Sequence, residues 1–209
     1  MRRCLAVDGH GMFYAQQKLG WFFDPRRLLE LAREGPGVEL GSAFWYTGLK
    51  DPSDQRPFRD ALSSLGFTVR TKPLREFGND AEQRQFARAN LDVEICLDLM
   101  TVALRSDELW LLSGSRDLER LVETLRTLGL KITLINCEGM VPRELRNAVD
   151  QFIDLSQLRS RLEKSEALLA TASQRLEQNR GEGPRAELSS TDLIRPQPIR
   201  REVVICPSV

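Results

Sequence analysis

The chain reads as an α/β protein built on an open parallel sheet with helices on both faces. Apolar strings alternate with helical patterns almost without exception over the first 155 residues. The strings are continuous rather than alternating, so each strand is covered on both faces. Helix-starting and helix-stopping residues fall between the strings.

In order, "CLAVD" (4–8) is a short buried strand. "DPRRLLELAREG" is a helix with Asp24 as N-cap, Pro25 at the first helical position and Gly35 as its stop. "VELGSAFWY" (38–46) is the second strand, "SDQRPFRDALSSLG" a helix ended by Gly66, and "FTVRTKPL" (67–74) the third strand. "LDVEICLDLMTVALR" (91–105) is a helix, "LWLLSG" the fourth strand, and "RDLERLVETLRTLG" a helix stopped by Gly129. "KITLIN" is the fifth strand, "PRELRNAVD" a helix and "FIDL" a short sixth strand.

This first domain is expected to span 1–155. Beyond it, Leu155, Leu158, Leu162, Ser165, Leu169, Ala172 and Leu176 fall at alternating steps of three and four. That is a heptad seam, which predicts an amphipathic helix over 156–179. The seam serves either a homodimer or packing back onto the parent domain. The remainder, 180–209, reads as a Pro-, Gly-, Ser- and charge-rich flexible linker with a short β-prone tail, "REVVICPSV".

Lys plus Arg and Asp plus Glu both total 30, so the formal net charge is zero. Bulk affinity for nucleic acid is not expected, and any such contact must come from a local patch. No run of about 18 apolar residues predicts a membrane span. The apolar run at the start is too short for a signal peptide. Cys4, Cys96, Cys137 and Cys206 form no CxxC pair and the chain has one histidine, a pattern that offers no zinc site. Reduced thiols in a cytoplasmic protein are the expectation.

In an open parallel sheet, function gathers at the carboxyl ends of the strands, where the strand order reverses. Asp8 ends the first strand and Asp117 follows the fourth. Asp92 begins the helix of "NLDVEICLDLM". Asp98 shares a stripe of that helix with Leu91, Ile95 and Val102. A carboxylate in an apolar stripe must be paired, hydrogen-bonded or bound to a metal. Converging acids raise each other's pKa values, and a divalent cation relieves that cost. Oxygen ligands without His or Cys favour Mg²⁺ or Mn²⁺, which can activate water and stabilise charge on a phosphodiester.

These pieces resemble the NYN domains of the PIN-like nuclease superfamily, in its LabA-like branch. The resemblance rests on "VDGHGMFYA", "LDVEICLDL", "LLSGSRDLERLVETLRTLGLKITLI" and "ELRNAVDQFIDL", which stand in family order over about 1–155. "FYAQQKLGWFFDPRRLLE" also resembles cyanobacterial members. The resemblance implies a metal-dependent ribonuclease. Asp8, Asp92 and Asp117 would be the Mg²⁺ or Mn²⁺ ligands, with Asp98 a further catalytic acid. Two positions depart from the family. Gly11 stands where members carry Asn, and Ser115 replaces the first acid of the SGDxDF motif. Either the site binds metal more weakly, or the domain has kept its fold as a catalytically inactive RNA- or protein-binding module.

Lys72, Arg75, Arg88 and Arg116 would flank the pocket and contact single-stranded RNA, although interspersed acids also allow a plain solvated face. His10, beside Asp8, is a general base or an incidental loop residue. The run Trp21, Phe22, Phe23 either stacks bases or belongs to the core or a dimer surface.

Overall fold

A computed structural model describes residues 1–51, 53, 55–77, 85–87 and 90–164, with backbone alone at 75–77 and 85–87. The seam from Ser165 to Leu176, the linker, the tail and Arg88 lie outside the described residues. One compact unit runs Met1–Glu166.

Six strands form the main sheet: β1 (Arg2–Asp8), β2 (Glu39–Leu49), β3 (Thr68–Pro73), β6 (Glu108–Leu112), β7 (Lys131–Asn136) and β8 (Gln151–Asp154). Their order is β3-β2-β1-β6-β7-β8, and every pairing is parallel. The chain steps outward from β1 to β3, returns to β6 beside β1, and steps outward the other way. The order therefore reverses between β1 and β6. A separate antiparallel pair, β4 (Arg75–Phe77) and β5 (Gln85–Ala87), precedes the acid-bearing helix. The sequence pattern did not predict it, because three-residue strands carry no readable period.

Seven α-helices flank the sheet among the described residues: α1 (Gly9–Leu19), α2 (Pro25–Arg33), α3 (Arg56–Leu65), α4 (Asp92–Ala103), α5 (Glu119–Thr127), α6 (Arg143–Ala148) and α7 (Arg159–Leu162). Side chains alternate across β1. Cys4 and Ala6 enter one core with Ile95 and Leu99 of α4, Val122 of α5 and Leu145 of α6. Leu5 and Val7 enter the other with Met12 of α1, Leu28 of α2, Leu62 of α3 and Leu162 of α7. Right-handed crossovers running in opposite directions from a central strand place their helices on opposite faces.

The caps follow their predicted chemistry. Asp24 accepts the Arg26 N–H at 2.8 Å, with Pro25 opening α2. Gly66 takes the left-handed conformation that ends α3. Helix α1 was not expected, since Gly9 and Gly11 in its first turn weaken the local signal. Asp8 caps it by accepting the Gly11 N–H. Gly9 is required for packing. A Cβ there would lie 2.8 Å from the Tyr46 carbonyl oxygen and closer still to the Trp45 indole nitrogen.

Past residue 155 the chain turns back onto its own domain. A 3₁₀ turn (Leu155–Leu158) leads into α7, with Leu155 and Leu162 fully buried and Leu158 packed beside them. Leu162 accepts the Asp24 N–H at 2.8 Å, and the Lys164 N–H donates to the Phe22 carbonyl at 2.9 Å. The first three seam positions are thus spent on the parent core. Trp21 and Phe23 are buried in that core too, whereas Phe22 is exposed. No described helix is long and apolar enough to cross a membrane.

Candidate active site

Asp8 is the last residue of β1 and is only 4% exposed. Its Oδ1 accepts the Gly11 N–H at 2.9 Å, and its Oδ2 accepts the Ser113 hydroxyl at 3.1 Å. Ser113 directly follows β6 and is fully buried. Its Oγ also accepts the Ser115 N–H at 3.1 Å. The Ser115 hydroxyl donates to Asp92 Oδ2 at 2.9 Å. Asp92 opens α4, where its N–H donates to Asn90 Oδ1 at 2.8 Å. One hydrogen-bonded chain therefore runs Asp8–Ser113–Ser115–Asp92. It crosses the gap between β1 and β6, where the strand order reverses and open α/β sheets bind their ligands.

Two glycines shape this pocket. A Cβ at Gly11 would lie 2.5 Å from Asp8 Oδ2, so any side chain there must displace the carboxylate. A Cβ at Gly114 would lie 2.6 Å from the Met140 carbonyl oxygen and 3.0 Å from Asn136 Nδ2. Gly114 thus lets the loops after β6 and β7 close on one another.

Asp98 and Asp117 make none of the hydrogen bonds of this relay. Asp98 receives the Arg70 Nε and Nη2 donors, each at 2.8 Å, and the Tyr46 hydroxyl at 3.3 Å. Burial, then the neighbouring Asp98 charge, push the Tyr46 phenol far up in pKa, so it remains a donor. The need of a carboxylate in an apolar stripe is met by Arg70 from β3. Asp117 lies on a 3₁₀ turn (Arg116–Leu118), exposed, two residues beyond Ser115. Among the described residues, no three His, Cys, Asp or Glu side chains group as a metal cage. The Asp8 and Asp92 carboxylates are linked through Ser113 and Ser115. An all-oxygen set with two carboxylates suits Mg²⁺, which keeps several waters and takes one or two carboxylates plus substrate phosphate.

Of the basic residues expected to meet RNA, Lys72 donates to Glu94 Oε1 at 2.8 Å and to the Asn90 carbonyl at 3.0 Å. That hydrogen bond holds the Glu94 carboxyl below its ordinary range. Arg116 meets Glu144 at 3.4 Å in an exposed pair. Arg75 lies on β4, where only backbone is described. His10 sits edge-on to Tyr14, ring centroids 5.1 Å apart. Ser113 and Asn136 are the pocket residues that sequence reasoning missed. Both close apolar strand runs and read there as ordinary strand ends.

With this geometry in view, the family model described as the NYN domain matches residues 2–159. The chain belongs to the NYN domain family. It is 54% identical over 166 residues to the low amplitude and bright protein LabA of Synechococcus elongatus, covering 79% of this chain and 89% of the relative. This NYN chain is therefore LabA-like. A crystal structure of a Vibrio parahaemolyticus protein of unknown function superposes with a TM-score of 0.62 at 24% identity, covering 74% of this chain and 92% of that one. That likeness confirms the fold. NYN domains generally bind RNA, and the PIN-like nuclease superfamily generally uses divalent metals.

Proposed function

We propose that this LabA-like NYN domain acts on single-stranded RNA as a metal-dependent ribonuclease with reduced activity. The observation that carries the reading is the hydrogen-bonded link between Asp8 and Asp92, from β1 and α4, at the reversal point of the sheet. Asp8 and Asp92 would hold Mg²⁺ or Mn²⁺, with the exposed Asp117 reaching in from the next turn. The bound ion would supply an activated water and offset charge on the phosphodiester. The protein's own part is positional. Gly11 and Ser113 aim the Asp8 carboxylate, while Asn90 fixes the start of α4 and hence Asp92. Asp98, the further catalytic acid of this reading, is paired with Arg70 of β3. The reading includes a cytoplasmic setting, supported by the free thiols of Cys4, Cys96 and Cys137.

The test compares wild type with Asp8→Asn. Wild type should gain melting temperature on adding Mn²⁺ and cleave single-stranded RNA, and Asp8→Asn should lose both effects. The second reading, an inactive RNA- or protein-binding module, is favoured by Ser115, whose hydroxyl donates to Asp92 from the position where the family carries an acid. RNA binding with neither cleavage nor a Mn²⁺ response in wild type would establish it in place of the first.

A further inference from the structure

Helix α1 leaves the acidic pocket carrying aromatic side chains that the domain does not bury. Phe13 is 46% exposed, Tyr14 51%, and Phe22, from the connection to α2, 40%. Their rings form one run. His10 meets Tyr14 with centroids 5.1 Å apart, Tyr14 meets Phe13 at 5.8 Å, and Phe13 meets Phe22 at 6.0 Å. The run begins two residues from Asp8. It is held in place, because the Gln16 side chain donates to the Met12 carbonyl and accepts the Phe23 N–H, tying the Phe22 segment to α1. Large aromatic side chains left in water forgo the free energy their burial would supply. The same rings border a cavity of about 390 Å³, floored by Trp45 and Phe58 and also lined by Lys50 and Lys164. That volume falls within the size range of small-ligand sites.

We propose that this aromatic cavity is a nucleobase-stacking subsite for a single RNA strand. The inference rests on the ribonuclease reading and gives it a binding register. Aromatic platforms beside cations are how proteins hold single strands without reading sequence, because every base presents a π-face. Two features favour RNA over a protein partner. The cavity places two lysines beside its rings, which suits a phosphate backbone. Its lining also begins next to the acidic pocket in the chain, since Gly9 and His10 directly follow Asp8.

The test measures binding of the full chain, in chelator, to a labelled oligouridine strand of about ten nucleotides, the span of a single-strand site. An abasic ribose-phosphate strand of equal length is the control. Wild type should prefer the base-bearing strand. Phe13→Ala and Phe22→Ala should each weaken that strand by about fivefold or more, the loss expected for one stacked base. Neither should change abasic binding or melting temperature, and Tyr14→Phe, which keeps the ring, should bind as wild type. Unchanged affinity in both alanine variants overturns the subsite while RNA binding itself stands. If those variants instead alter self-association by light scattering, the patch is a protein interface and the inference is wrong. Wild type that binds neither strand removes the RNA reading and the subsite together.

Discussion

At the scale of single residues, the pocket turns on Ser115. Its hydroxyl lies 2.9 Å from Asp92 Oδ2, so a carboxylate in its place would stand against an existing one. In Ser115→Asp, like charges crowd and the folded state should be destabilised without metal. A divalent ion should reverse that penalty, since binding to the native state adds RT ln(1 + [L]/Kd). The expected outcome is a lower melting temperature in chelator and a larger Mn²⁺-dependent rise than wild type, with RNA cleavage increasing alongside. Equal Mn²⁺ responses in the two proteins would show that position 115 does not face the ion. Asp8 and Asp92 were legible in the sequence because strand ends and helix starts advertise their position, and Ser115 because it departs from the motif the resemblance supplies. Ser113 was not, because a serine closing an apolar run looks like part of the strand. The partner of Asp98 was not legible either. Arg70 meets it only through the register of β3 beside β2 and the placement of α4, and no local pattern encodes either.

Between elements, the C-terminal seam shows how one spacing serves two ends. Steps of three and four place apolar residues on one helical face but do not say what covers that face. The structure covers the first three with the parent core, through α7 and the strip Phe22–Asp24. Helix α4 presents a contrast. Val93, Leu97, Met100 and Leu104 have the same spacing, yet Leu97 is 65% exposed and Leu104 84%. The difference is measurable as stability. Leu162→Ala should cost about 2–5 kcal/mol, the range for emptying a buried leucine site. Leu97→Ala should stay within about 0.5 kcal/mol, as surface changes do. Chemical denaturation of the two variants decides it, and a cost for Leu162→Ala as small as that for Leu97→Ala would contradict the packing of α7. Helix α1 escaped the sequence for a related reason. Its glycines serve the approach to Trp45 and the Asp8 cap, both contacts across elements, at the expense of local helix propensity.

For the molecule as a whole, strand alternation predicts the parallel class but not the order of strands, and the order is what creates the site. Asp8 meets Ser113 only because β1 lies beside β6 in register, Arg3 opposite Glu108 through Val7 opposite Leu112. At the amino end of that pairing, Arg3 Nε donates to Glu108 Oε2 at 2.6 Å, with both residues buried. Arg3 also donates to the Ala32 carbonyl at 2.7 Å, and its guanidinium stacks 4.3 Å from the Trp110 ring centroid. One side chain thus ties β1, β6 and the end of α2 at the edge opposite the pocket. Removing one member of a buried ion pair strands the other charge, which costs about 3–5 kcal/mol, whereas replacing both with apolar side chains is often neutral. Glu108→Met should therefore destabilise by about that amount, and Arg3→Met by less, because Lys131 Nζ still lies 3.7 Å from Glu108 Oε1. The double variant should lose less than the sum, because the uncompensated charge is gone. Denaturant midpoints of the three proteins measure the coupling. If the pair sets the register as well as the stability, Arg3→Met should also blunt the Mn²⁺ response of the distant pocket at temperatures where the variant is fully folded. Independent losses in the two single variants would instead mean that β1 finds its place beside β6 through the apolar strand faces alone.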